Sequence, residues 1–373
     1  MRGRSLAALA ILMALSMILP ACRLGKMDLP GEPDFAGVTL SVWDLSQPKV
    51  EGAPDYQTEA QRVAREFAAH YGVEVDLRFA LRQEIAELLA GKAVVEPPAL
   101  VFTGEWPSVP DAAWDLSSSV SETDYVDAAA FYWQKDGRLL AVPAYVQWLG
   151  VASRDSGTKD VFFADSPAFL RAALESQGAP WDPDAIFAYL TWVEQQWGRA
   201  ESDPLRAWQE GVARSLYPVT PYLFEWLAST EASEVSLEPI PGPFADPCFF
   251  YTVPGYVVLA RDGAQRECAA RLAFALAANL GRWAARAVGC VPALRADVSV
   301  FNLESGFSFE DRSSILSSLT EPRFRAPLTA DTLLQESLQA TLRQVAVDYL
   351  SGRTTAAEAR SSIQETMQRH TKP

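Results

Sequence analysis

The chain has 373 residues, of which 49% are apolar and 11 are tryptophan, enough for substantial cores in a length that fits two domains. Its 47 acidic against 32 basic residues give a formal charge of -15, which argues against nucleic acid or anionic lipid as a partner. Only two histidines, His70 and His370, are present, and no GxSxG, HExxH or P-loop pattern occurs in a supporting context, so histidine-based catalysis is not expected.

At the N-terminus, Arg2 and Arg4 precede an apolar run from Leu6 to Leu19, then Pro20, Ala21 and Cys22. This is the order of a secretory signal, and the run is short of the roughly 20 residues a permanent span needs. Leu19, Ala21 and Cys22 resemble a lipobox, whose cysteine is acylated and becomes the new N-terminus. Residues 1–21 are therefore expected to be removed. Cys22 would hold the protein on the extracytoplasmic face of the cell membrane through more than one acyl chain, as firm anchoring requires. Residues 22–36, with Pro30, Gly31 and Pro33, read as anchor and tether. Three cysteines remain, Cys248, Cys268 and Cys290; their spacing matches no zinc pattern, and one disulfide or none is expected.

Beyond the tether the apolar pattern alternates between two periods. Val38 to Trp43 is β-rich, Ala60, Val63, Ala64, Phe67, Ala68 and Tyr71 fall at helical spacing, and Val73 to Phe79 alternates again. A second helix carries Ile85, Leu88 and Leu89, and Pro98 to Thr103 forms a third strand. Alternation of this kind predicts a parallel sheet with helices on both faces and a ligand at the carboxyl ends of its strands. Leu139 to Ser153 is apolar throughout with Pro143 inside it, which predicts two extended pieces meeting at a hinge. Pro167 to Gln177 and Pro183 to Trp197 read as helices, the latter led in by Asp182. Gly255 to Ala260 reads as a strand, and Ala264 to Leu280 as an alanine-rich helix. Ala330 to Leu350 follows, then a last helix opened by Thr355 with Glu358 three residues on.

Several pieces resemble a known family. VTLSVWD at 38–44, PPALVFTG at 97–104, WDLS at 114–117, YWQKDGRLLAVPAYVQWLGVASRD at 132–155, GCVPALRAD at 289–297 and SGRTTAAEA at 351–359 are similar in order and spacing to the extracellular solute-binding proteins of ABC importers. The similar branch is the one that includes maltose-binding protein. The resemblance implies an α/β, two-lobe periplasmic-binding-protein fold of type II with a hinge between the lobes. The N-terminal lobe would be 37–143 with 255–295, the C-terminal lobe and closing helices 144–254 with 296–373. It implies a small polar solute, a sugar or oligosaccharide, held in the cleft without chemistry, cofactor or metal, and lobes that close on it and meet membrane permease subunits. A monomer is the default. The stretch from about 198 to 250 is shorter than its usual counterpart, and Ala99 stands where the family often has an aspartate.

Residues at and just past the strand ends are the candidate ligand contacts: Trp43 and Asp44 closing the first strand, Glu105 and Trp106 following the third, and Tyr145, Gln147 and Trp148 just after the hinge proline. In the maltose-binding branch the position of Gln147 carries an acidic residue that hydrogen-bonds the sugar; an amide keeps a donor and an acceptor without the charge. Trp226, Tyr251 and Tyr256 are second-lobe or hinge candidates. Sugars present hydroxyl edges and apolar faces, so aromatic platforms beside polar groups suit them, although core packing is the competing role of each aromatic. Two alternatives share these residues. An acidic cleft could serve a surface-bound sensor for a polyamine, and Asp44 with Glu105 is the carboxylate pair a glycosidase would need.

Overall fold

The computed structural model describes residues 34–46, 55–89, 96–103, 113–164, 166, 169–176, 178–230, 235–320 and 336–371. The signal, Cys22 and most of the tether therefore lie outside the described residues, as do Glu105 and Trp106. Strand β1 (Thr39–Leu45) is followed by helix α1 (Tyr56–Tyr71), β2 (Glu74–Ala80), α2 (Arg82–Leu89) and β3 (Leu100–Thr103). In β1 the alternation buries Leu40, Val42 and Asp44 and leaves Ser41, Trp43 and Leu45 half-buried, whereas β3 is buried throughout, as suits a strand covered on both faces. Helix α1 opens on Asp55, whose carboxylate accepts the Thr58 amide at 3.2 Å, and ends on Gly72 at φ 66°.

Next come α3 (Asp127–Tyr132), a two-stranded hairpin of β4 (Gln134–Lys135) and β5 (Arg138–Leu139), β6 (Val142–Pro143), and the ten-residue β7 (Tyr145–Arg154). They are followed by β8 (Lys159–Phe162), α4 (Phe169–Ser176), α5 (Pro183–Trp197), α6 (Pro204–Gln209), β9 (Ala213–Val219), α7 (Pro221–Thr230), β10 (Val235–Glu238), β11 (Phe250–Thr252) and β12 (Gly255–Val258). The chain continues through α8 (Gly263–Val288), β13 (Val291–Pro292), α9 (Val298–Glu304), α10 (Phe309–Ser318), α11 (Glu336–Leu350) and α12 (Ala356–Thr371). Helix α5 starts as its sequence signals, with Asp182 accepting the Ala185 amide at 2.8 Å and Pro183 in the first turn. Thr355 and Glu358 make the reciprocal bonds of a capping box at α12. Helix α8 runs about two turns past the predicted Leu280 and stops on Gly289 at φ 66°.

The first sheet has the order β2-β1-β3-β12-β6, with β1 parallel to β2 and β3, and β12 antiparallel to β3 and β6. The second is organised on β7, flanked by β10 and β9, with β8 parallel beyond β9; β11 and β13 pair with the first half of β7. One buried cluster fills the first lobe and runs through the crossing into the second sheet. The other lies between that sheet and α4, α5, α11 and α12. Cys248, Cys268 and Cys290 are buried and unbridged.

The chain crosses directly between the sheets twice within a few residues, and a third segment reaches the crossing after α8. Pro143 ends β6 in the first sheet and Tyr145 begins β7 in the second, leaving only Ala144 between them. Val253 and Pro254 link β11 back to β12. Val291 and Pro292, which the resemblance gives to the first lobe, pair with Val146 and Tyr145 at the start of β7. Ala144 ties the three passages together: its amide donates to the Pro254 carbonyl at 2.8 Å, and its carbonyl accepts the Ala293 amide at 3.1 Å.

Candidate functional site

The carboxyl ends of β1 and β3 and the beginning of β12 meet beside this crossing. Gly255 and Tyr256 pair with Thr103 and Phe102, and Gly255 also pairs with Pro143. Asp44, on the inward face of β1, is fully buried there. Its Oδ2 accepts the Tyr56 hydroxyl at 2.6 Å and the Tyr256 hydroxyl at 2.8 Å, the two phenol oxygens are 2.9 Å apart, and Oδ1 takes the Leu45 amide at 2.7 Å. Tyr56 leans on Trp283 and Tyr256 on Phe102, with ring centroids 5.2 and 4.9 Å apart. Burial pushes the Asp44 carboxyl up to about 6, against the phenol and amide hydrogen bonds that favour its ionised form. Both phenols are held far above the ordinary tyrosine range, by burial first and by the Asp44 charge second, so they stay donors.

This cluster changes the expectation for Asp44. A carboxylate with no exposed surface and both oxygens engaged cannot touch a solute, or act as one half of a glycosidase pair, without dismantling its own hydrogen bonds. Trp43 points the other way, because neighbouring residues of a strand face opposite sides of the sheet. It is half-buried, and the Arg78 guanidinium, opposite it on β2, lies 4.4 Å from its ring centroid. Arg78 is in turn paired with Glu84.

The same alternation divides the candidates on β7. Tyr145 and Gln147 share one face, and Gln147 lies opposite Thr252 of β11, both half-buried and polar. Tyr145 is near enough to Tyr256 for the two phenols to act on each other electrostatically. Trp148 is on the opposite face and belongs to the core: it is fully buried, paired with Tyr251 on β11, and its ring is surrounded by Phe307, Phe224 and Phe249 at 5.6, 6.0 and 6.5 Å. Its indole N–H has no hydrogen-bond partner among the described residues. Tyr251 is buried and bonded to Ser318. Trp226 is half-buried on α7, next to Glu225, whose Oε1 accepts the Gly306 amide at 3.0 Å.

Tyr56 and Thr252 are the residues of this region that the sequence candidates omit. Tyr56 was within reach, since it continues the stripe of Ala60, Ala64 and Phe67 back by one turn. Thr252 carries no signal of its own; only its register against Gln147 marks it. Among the described residues no group of three or more histidine, cysteine, aspartate and glutamate side chains is placed to hold a metal ion.

No family model matches the chain, and no curated protein matches it in sequence. Solved structures do. The maltose/maltodextrin-binding domain MalE from Bdellovibrio bacteriovorus, bound to maltotriose, is 14% identical with a TM-score of 0.60, over 89% of this chain and 99% of its own. The sugar-binding protein MalE from Xanthomonas citri is 12% identical with a TM-score of 0.62, over 89% and 98%. The cyclic alpha-maltosyl-1,6-maltose binding protein from Arthrobacter globiformis is 14% identical with a TM-score of 0.61, over 90% and 99%. The chain therefore has the two-lobe, maltose-binding-protein-like fold, with the crossing at Ala144 between its lobes.

Proposed function

We propose that this chain captures a small hydroxylated solute, a sugar or oligosaccharide, between its lobes and releases it unaltered to an ABC permease, held at the outer face of the membrane through acylated Cys22. The observation that carries the reading is the match, over nearly the whole chain, to structures whose own ligands are maltooligosaccharides. The local chemistry supports it. Near the crossing, half-buried Gln147 and Thr252 offer neutral donors and acceptors, the groups that suit hydroxyls, with buried Tyr145 on the same face of β7 as Gln147; the buried carboxylate nearby spends its lone pairs on Tyr56, Tyr256 and Leu45. That distribution suits a neutral, hydroxylated solute. Trp226 is retained as a platform on the second lobe. Glu105 and Trp106 remain in the proposed set because they follow Thr103 in the chain with only Gly104 between.

Thermal unfolding against mono- and oligosaccharides, polyamines and amino acids tests the proposal. A ligand at a hundred times its Kd adds about 2.7 kcal/mol of stability, a shift of a few degrees in a chain of this size. Stabilisation by one sugar class, with the sugar recovered intact and the response lost in Gln147→Ala and Trp106→Ala, is expected. Stabilisation by spermidine alone, or turnover of the sugar, overturns the proposal. Loss of labelled-palmitate incorporation in Cys22→Ala checks the anchor.

A further inference from the structure

Glycine inside a helix is disfavoured relative to alanine, because it gives up more chain entropy and packs nothing. Helix α8, which packs on elements of both sheets, nevertheless places Gly281 among alanines. A Cβ at Gly281 would stand 2.5 Å from the Ala144 carbonyl oxygen and 3.5 Å from the Cβ of Pro292. The first is the backbone of the residue where β6 becomes β7; the second belongs to β13, another passage between the sheets. The obstructing atom is main chain, so no side chain can swing aside to make room. By contrast, Gly263 at the start of the same helix has nothing within 4 Å of its Cβ position.

We propose that Gly281 is a positioning residue for the hinge: its missing side chain lets α8 press on the Ala144 carbonyl, and that contact fixes the point about which the two lobes turn. The three passages meet at Ala144, so a methyl group at 281 displaces the junction as a unit and leaves each sheet's own hydrogen bonds in place. The inference rests on the reading of the protein as one whose lobes move on a ligand, but its test uses no ligand. A failure here is thus separable from a failure of the thermal-shift panel.

The test is hydrogen–deuterium exchange of the full chain, wild type against Gly281→Ala and Gly263→Ala. Exchange of the Ala144 and Ala293 amides should rise at least about tenfold in Gly281→Ala, with the amides of β1–β3 and β8–β9 unchanged, and Gly263→Ala should match wild type. A general loss of stability would raise exchange in both sheets instead, and that result, or unchanged exchange at Ala144 and Ala293, overturns the proposal. Should Gly281→Ala fail to fold, the wild type decides. An Ala293 amide as protected as those of β12 supports a clamped junction, and one exchanging as fast as the exposed ends of the strands overturns it.

Discussion

Two groups of buried side chains within the larger core flank the crossing and are built on opposite principles. On the first-lobe side, Asp44, Tyr56 and Tyr256 join β1, α1 and β12 by hydrogen bonds that use both carboxylate oxygens. On the second-lobe side, Trp148, Phe224, Phe249 and Phe307 fill space with rings, and the one polar atom of Trp148 is left without a partner among the described residues. The first cluster is directional and carries a charge whose burial is unfavourable. The second depends on volume alone. A hinge region held on one side by directional bonds and on the other by packing should respond to protons and to lost volume at different places.

The largest effect is expected on the packing side. Trp148→Ala removes a fully buried ring from an aromatic cage and should cost about 3–5 kcal/mol in denaturant unfolding. Because the indole N–H is unpartnered, Trp148→Phe should cost less than half as much. An equal loss in the two variants would mean that the N–H has a partner after all, and would erase the contrast between the clusters.

The next effect is a pH dependence confined to the first cluster. Asp44 is raised to about 6 in the folded chain from an ordinary value near 3.8. Its stabilising contribution is therefore fully present below pH 4 and is lost as pH rises through 6, because the unfolded chain gives up the proton first. That loss amounts to about 3 kcal/mol, at about 1.4 kcal/mol for each tenfold change in proton affinity. Other carboxylates titrate in the same window, so the measurement is the difference between wild type and Asp44→Asn. The variant should gain on wild type between pH 4 and pH 6 and run parallel to it above. A difference that stays flat across that window would show that the carboxylate is not buried as a charge.

Sequence and structure agree where the cause is local. Asp182 with Pro183, Thr355 with Glu358, and the break at Pro143 are signals that act within four residues, and each produced the element it predicts. The two-lobe fold was legible in the resemblance of the segment at 132–155. The facing of the site residues was not. Tyr145 to Ser153 is apolar almost throughout, because β7 is covered on both sides, so no alternation tells Gln147 from Trp148. Asp44 looked available because its partner Tyr256 is 212 residues away in the chain. Gly281 looked like one more small residue in an alanine-rich helix, and only the approach of Ala144 gives it a role.

The smallest effect is expected where the aromatic cluster meets a titratable group. Glu225 is partly buried beside Gly289 and Gly306, near Phe307, and burial raises its carboxyl while the Gly306 amide opposes the shift. The sign is the same as for Asp44: stability present at low pH is lost as pH rises through the raised value. Glu225→Gln keeps an oxygen to accept the Gly306 amide and removes the charge. Solvent reaches part of the side chain and screens it, so at pH 7 the variant should be more stable than wild type by less than about 1 kcal/mol. A loss of stability instead would mean that the amide bond to the ionised carboxylate outweighs desolvation, and the second cluster would then share the directional character of the first.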